Sequence, residues 1–243
     1  EAFLWDAATG ARIAKLDYSE NIIVSDQNRE ACFQPNGERL AKCTVRGPVV
    51  YDSETGDKLF ELEGHTKAVR SIRFSPDGGW LLTSGEDATV RRWRASTGKL
   101  DTVFRNESAL YDAQVSPDGR WVAARDAAAI LHVWEAETAK KIADIEIQPK
   151  PEDSVLFTFS PNGECLLTAS LDTATARLWE TRTGAQLAEL KGPDSEIRTL
   201  HFSPDGRRVV LGNIFAPARI YATEICGSPD DLLILAKRKV RRD

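Results

Sequence analysis

The feature that most constrains this chain is a repeat of fixed period. Phe33-Gln34-Pro35-Asn36-Gly37, Phe74-Ser75-Pro76-Asp77-Gly78, Val115-Ser116-Pro117-Asp118-Gly119, Phe159-Ser160-Pro161-Asn162-Gly163 and Phe202-Ser203-Pro204-Asp205-Gly206 are copies of one motif, their prolines 41, 41, 44 and 43 residues apart. A second marker keeps phase with it: Trp5, Tyr51, Trp93, Trp134, Trp179 and Tyr221, at steps of 46, 42, 41, 45 and 42. A turn follows each of the first five aromatics: Ala8-Thr9-Gly10, Glu54-Thr55-Gly56, Ser96-Thr97-Gly98, Glu137-Thr138-Ala139 and Arg182-Thr183-Gly184. Self-similarity at such a period means that each copy is one supersecondary unit, which buries its apolar face only against neighbouring copies.

The markers are turn chemistry. Proline presets φ at the second turn position, Asp or Asn bonds neighbouring backbone, and glycine accepts positive φ. Between them lie short apolar runs of strand length. Residues 2–16 read as two strands, Ala2–Trp5 and Ala11–Leu16. Four fuller units of four strands are expected at 21–62, 65–104, 106–146 and 150–190. The last copy supplies three strands, Ile197–Phe202, Arg207–Leu211 and Ala218–Ala222. The tail differs: Ser228-Pro229-Asp230-Asp231 reads as a helix start. Leu232, Leu233, Leu235 and Ala236 would form its apolar stripe, and Lys237, Arg238, Lys239, Arg241 and Arg242 would complement its C-terminal dipole.

The fullest copy runs from Gly64-His65 through Asp87 and Trp93 to Thr97-Gly98. It resembles the WD-repeat (WD40) family of β-propellers, which opens on Gly-His; Leu4-Trp5-Asp6 matches the family's Trp-Asp ending. The resemblance covers roughly residues 2–225. It implies an all-β propeller of four-stranded blades over residues 1–225, part of a seven-bladed ring. A short C-terminal α-helix at 226–243, of the kind that closes many bacterial members, is expected to follow. One half blade, four full blades and one of three strands fill six positions. A seven-bladed ring would need on the order of 70–80 further residues. With no Met in the chain, we expect a fragment or processed product, completed by missing N-terminal sequence or further domains of the same protein.

In that family a His, a Ser or Thr, an Asp and the Trp of one blade form a hydrogen-bonded tetrad. The matching residues are His65, Thr83, Asp87 and Trp93. The set imitates a hydrolase's base, hydroxyl and acid, but it would lie inside a blade, so a structural role is expected. A partial copy, Thr168, Asp172 and Trp179, has Lys150 where His would stand. Elsewhere the pattern departs: Asn106 and Ala124; Val24, Lys42 and Tyr51; Pro193 and Leu211. Those blades are expected to rely on strand pairing and apolar packing alone.

Composition excludes several classes of function. The chain has 32 Lys and Arg against 37 Asp and Glu, a net −5, so a nucleic-acid-binding face is not expected. No 18-residue apolar run suggests a membrane span, and no signal peptide is visible. Cys32, Cys43, Cys165 and Cys226 form no CxxC pair and suit a reducing cytoplasm. His132 and His201 have no ligand-spaced partners, and no Gly-rich phosphate loop is present, so neither metal nor cofactor is expected.

The resemblance therefore implies a non-catalytic protein-binding scaffold or sensor, in a bacterial signalling setting. Other proteins or peptides would dock on a loop face carrying Arg29, Arg46, Lys67, Glu86, Tyr111, Asp112, Arg125, Asp153, Asp194 and Glu196. The rival reading is a propeller enzyme with a central-channel active site, which would need ionisable residues converging from several blades.

Overall fold

The computed structural model describes residues 2–16, 31–44, 47–147, 155–170, 174–192, 196–213 and 217–222. The helix expected from Ser228 lies outside these residues, as do Cys226, Arg29, Arg46, Asp153, Asp172 and Asp194. Among the described residues there are 21 β-strands and no helix.

The strands form six sheets, and in each the spatial order follows the chain order. The first pairs β1 (Ala2–Trp5) with β2 (Arg12–Leu16). The second runs β3 (Ala31–Phe33), β4 (Arg39–Thr44), β5 (Gly47–Asp52), β6 (Lys58–Glu61). The third runs β7 (Val69–Phe74), β8 (Trp80–Gly85), β9 (Thr89–Arg94), β10 (Leu100–Arg105). The fourth is β11 (Leu110–Val115), β12 (Trp121–Asp126), β13 (Ile130–Glu135), β14 (Lys141–Glu146). The fifth is β15 (Val155–Phe159), β16 (Cys165–Ser170), β17 (Thr175–Glu180), β18 (Gln186–Lys191). The sixth has three strands, β19 (Thr199–Phe202), β20 (Arg208–Gly212) and β21 (Arg219–Ala222).

The repeated turns have a shared construction. In four copies the serine hydroxyl of the Ser-Pro-Asp/Asn-Gly motif accepts the amide five residues on: Trp80 N to Ser75, Trp121 N to Ser116, Cys165 N to Ser160 and Arg208 N to Ser203, each at 2.9 Å. The same hydroxyl donates to the Asp or Asn side chain two residues ahead. The glycine sits at φ 69–74° in these four, where a side chain would be strained. Gln34 replaces the serine in the remaining copy, and its Nε2 donates instead to Gly78 O at 2.9 Å.

The aromatic marker coincides with a register shift. The ladder slips at Leu4/Trp5, Val50/Tyr51, Val133/Trp134 and Leu178/Trp179, and opposite Trp93 at Leu100/Thr102. A bulge bends and twists the strand locally, and here each follows from the tight turn just beyond the aromatic. In those turns Gly10, Gly56, Gly98 and Gly184 lie at φ 67–77°; Ala139 takes the same conformation at φ 57°.

The chain divides into two compact units, Glu1–Val115 with Ala124–Ala127, and Ser116–Ala123 with Ala128–Asp243. In the first, Ala41, Val50, Leu62, Val69, Ile72, Leu81 and Trp93 share a core. In the second, one core gathers Leu131, Val133, Ile145, Phe157, Phe159 and Leu166. Another joins Leu167, Leu178, Ile197, Leu200, Val209 and Leu211. Cys43 and Cys165 are buried and Cys32 is half-buried, and none of the three forms a disulfide.

Candidate functional site

The sequence-expected tetrad assembles in the third sheet. Trp93 Nε1–H is a donor only, and it lies 2.9 Å from Thr83 Oγ1. Thr83 must therefore donate its own proton, and His65 Nε2 is 2.7 Å away. That leaves Nε2 unprotonated and puts the imidazole proton on Nδ1, 2.9 and 3.0 Å from the Asp87 carboxylate oxygens. Asp87 also accepts from Thr66 N, Thr89 N and Thr89 Oγ1 at 3.1, 3.2 and 2.7 Å. Arg91 Nη2 stands 3.6 Å from it.

Burial decides the charge states. The His65 and Asp87 side chains are 3% and 5% exposed, and Thr83 and Trp93 are buried. Burial pushes the His65 pKa below its ordinary value, overcoming the attraction of Asp87, so the ring is neutral at pH 7. Burial pushes the Asp87 carboxyl upward, but the hydrogen bonds it accepts from Thr89 and Thr66 outweigh this and hold it below the usual value. Every polar atom of this set is engaged within it.

Two glycines make room for the set. A Cβ on Gly85 would lie 2.9 Å from His65 Nδ1 and 3.1 Å from both Ala68 O and Asp87 Oδ1. A Cβ on Gly64 would lie 2.4 Å from Arg91 Nη1, and Gly64 adopts φ 143°.

The fourth sheet corrects an expectation. Strand pairing and apolar packing without such a network were expected there, because Asn106 and Ala124 replace His and Thr. Instead Asn106 Nδ2 donates to Ser108 Oγ at 3.0 Å, and Ser108 Oγ donates to Asp126 Oδ2 at 2.9 Å. Trp80 and Trp121 open β8 and β12, 41 residues apart (121 − 80), so Asp126 occupies the place of Gly85 (126 − 85 = 41). The carboxylate has moved from the turn to the strand end, to the position where a Cβ in the third sheet would crowd His65 and Asp87. The signal was present as a Gly-to-Asp change between aligned copies, but only its near-complete burial, 4% exposed, reveals what Asp126 does. In the fifth sheet Trp179 Nε1 donates to Thr168 Oγ1 at 2.8 Å, while Asp172 is outside the described residues.

The residues expected on a loop face separate. Lys67 is exposed in the bend before β7, Glu86 follows β8 in a turn, and Glu196 is exposed ahead of β19, paired with Arg198. Tyr111, Asp112 and Arg125 are not on loops. Tyr111 and Asp112 lie in β11 and Arg125 lies in β12, because ladder pairing already begins at Leu110. The structure nevertheless brings Glu86, Tyr111 and Arg125 together through a residue the sequence reading missed. Arg70 stacks on Tyr111 with its Cζ 5.8 Å from the ring centroid, and Arg125 stacks on the same ring at 5.5 Å. Arg70 also forms an ion pair with Glu86. Among the described residues no three His, Cys, Asp or Glu side chains converge as a metal site.

Comparison with known proteins places these sheets. Residues 56–94 match the family described as WD domain, G-beta repeat. The chain is 28% identical over 196 residues to transcription initiation factor TFIID subunit 5 of Caenorhabditis elegans, covering 72% of this chain and 30% of that protein. It is 29% identical over 110 residues to target of rapamycin complex subunit wat1 of Schizosaccharomyces pombe, covering 44% and 33%. It is 35% identical over 95 residues to the WD repeat-containing protein 55 homolog of Drosophila melanogaster, covering 38% and 19%. The chain thus spans at most 33% of the length of these relatives. Among solved structures, the β-propeller domain of Myceliophteria thermophila Cps50 (Swd1) aligns with a TM-score of 0.67 and 22% identity, over 86% of this chain and 70% of that one. That likeness shows the fold: four-stranded blades of a β-propeller. The findings support the WD40-repeat family. The relatives named here are eukaryotic, and none supports the bacterial setting expected from the tail.

Proposed function

We propose that this chain is a non-catalytic protein-binding module of the WD-repeat type. Its contact residues would include Lys67, Glu86, Tyr111, Asp112 and Arg125. One observation carries the reading: the only triplet here that imitates a hydrolase, His65–Thr83–Asp87 among the described residues, is sealed from solvent and saturated with internal partners. A nucleophile whose proton and lone pair are both committed inside a blade has no substrate to attack. Half-buried Tyr and Arg side chains, by contrast, are the types that anchor protein interfaces. Two relatives are named as subunits of larger assemblies, which fits a scaffold. Ester, phosphate and peptide substrate panels test the reading. No turnover is expected, and turnover that disappears in a folded His65→Gln variant would refute it.

A further inference from the structure

Around Tyr111 the regular architecture is broken in several ways at once. The β7–β8 ladder shifts register between Val69 and Ser71, which leaves Arg70 as the extra residue of a bulge. Bulges re-aim a side chain, and they gather next to functional sites. On the neighbouring strand Asp112 stands at φ 35°, a left-handed conformation inside a β-strand. Such strain persists where the surroundings impose it, and it too clusters at sites. Beside it, Ser71 Oγ accepts the Ala113 amide at 3.0 Å, and the Ser71 and Ser84 hydroxyls bond at 2.8 Å. Two buried polar atoms here, Arg70 Nε and Asp112 Oδ1, have no hydrogen-bond partner. Native structures tolerate few such atoms, and each asks for an explanation.

The charges differ from the rest of the chain. Arg70, Arg73 and Arg125 stand with Glu86 and Asp112 around Tyr111, a local +1 (3 − 2) on a protein of net −5. Glu86 is committed to Arg70, and Asp112 lies 3.6 Å from Arg73. Arg125 has no carboxylate partner among the described residues; its guanidinium lies only against the Tyr111 ring. Stacking orients the planar fork while leaving its N–H groups free for a bidentate acceptor.

We propose that the Arg70–Tyr111–Arg125 stack is the anchor for an acidic, Asp/Glu-bearing peptide segment of a protein partner, one carboxylate seating on Arg125 and the segment's backbone passing over Tyr111. The proposal rests on the protein-binding reading above. A short acidic segment matches a small local excess of positive charge, whereas a long polyanion would meet the repulsion of the acidic body.

The test pans a random peptide display library against the full 243-residue chain. Binding is then measured by anisotropy with a fluorescein-labelled peptide of alternating Glu, Gly, Asp and Ser. Its Gln/Asn counterpart and a phosphoserine peptide serve as controls. Selected binders should be enriched in Asp and Glu, and the acidic probe should bind more weakly as salt rises. Arg125→Gln should weaken the acidic probe about tenfold or more, the scale of one lost charged hydrogen bond, with melting temperature unchanged. Tyr111→Phe should retain binding, because the ring face makes the stack. Equal binding of the Gln/Asn counterpart, binding of the phosphoserine peptide alone, or indifference to Arg125→Gln would overturn the proposal. Selected binders that are not acidic and ignore Arg125→Gln would overturn the anchor yet leave the protein-binding reading standing. An empty selection would remove both.

Discussion

Thr83→Val is the cleanest probe of the sealed tetrad. Valine copies the shape of threonine, keeps its β-branching and removes only the hydroxyl. That hydroxyl accepts from Trp93 Nε1 at 2.9 Å and donates to His65 Nε2 at 2.7 Å. The substitution therefore strands one donor and one acceptor. Both belong to groups nearly closed to water: Trp93 is 1% exposed and the His65 side chain 3%. Leaving one buried polar group unsatisfied costs about 1–3 kcal/mol, so the two cost about 2–6, and the gained methyl returns about 1; we expect a net loss of about 1–5 kcal/mol. Thr168→Val is an internal control. There Trp179, 8% exposed, is the partner among the described residues, and only one donor is stranded. With the same gained methyl, its expected loss is about 0–2 kcal/mol. Urea unfolding of each variant, followed by tryptophan fluorescence, compares midpoints at constant slope. A double-mutant cycle with Trp93→Phe should show coupling, because both changes remove the same bond. If Thr83→Val loses less than Thr168→Val, or shows no coupling to Trp93→Phe, the chain of donation drawn here is wrong.

Other expectations follow from the same geometry. His65 has its folded pKa lowered, so the stability it contributes is complete above its ordinary value of 6.5 and is lost as pH falls through the lower folded value. Melting temperature should accordingly decline on mild acidification below that value, and His65→Gln should flatten this limb; an unchanged limb would mean that another group titrates. Gly98→Ala should destabilise by about 1–3 kcal/mol, as read by calorimetry. Its new Cβ would meet Phe60 Cδ2 at 2.5 Å from a backbone at φ 67°. Ala139→Gly should act oppositely, adding up to about 1 kcal/mol by relieving a left-handed alanine, less the extra freedom of the unfolded chain; a lowered melting temperature would refute that account.

What the sequence determined is local chemistry repeated in phase. Each Ser-Pro-Asp/Asn-Gly quartet carries its own hydrogen-bonding groups within five residues, so its turn could be read before any packing was known. The Thr-Gly turns are equally self-contained, and the five strands given bounds from the sequence fall within two residues of the observed ones. Thr199, for example, opens a strand expected from Ile197. His65, Thr83, Asp87 and Trp93 were legible because four residue types stood together at the family's spacing in one copy.

Tertiary structure decided whatever depends on a neighbour distant in sequence. Asp126 takes over from an absent His–Asp pair because the space beside Gly85 is filled by His65 and Asp87 in one sheet, whereas no such pair occupies it in the next. No propensity distinguishes that aspartate from an exposed one; burial does. The family resemblance places Tyr111 on a loop face, yet pairing draws it into β11. Arg70 and Arg125 meet on its ring from strands 55 residues apart (125 − 70). The bulge that aims Arg70, and the left-handed Asp112, flank the bond between the Ser71 hydroxyl and the Ala113 amide, partners that only the packed strands bring within reach.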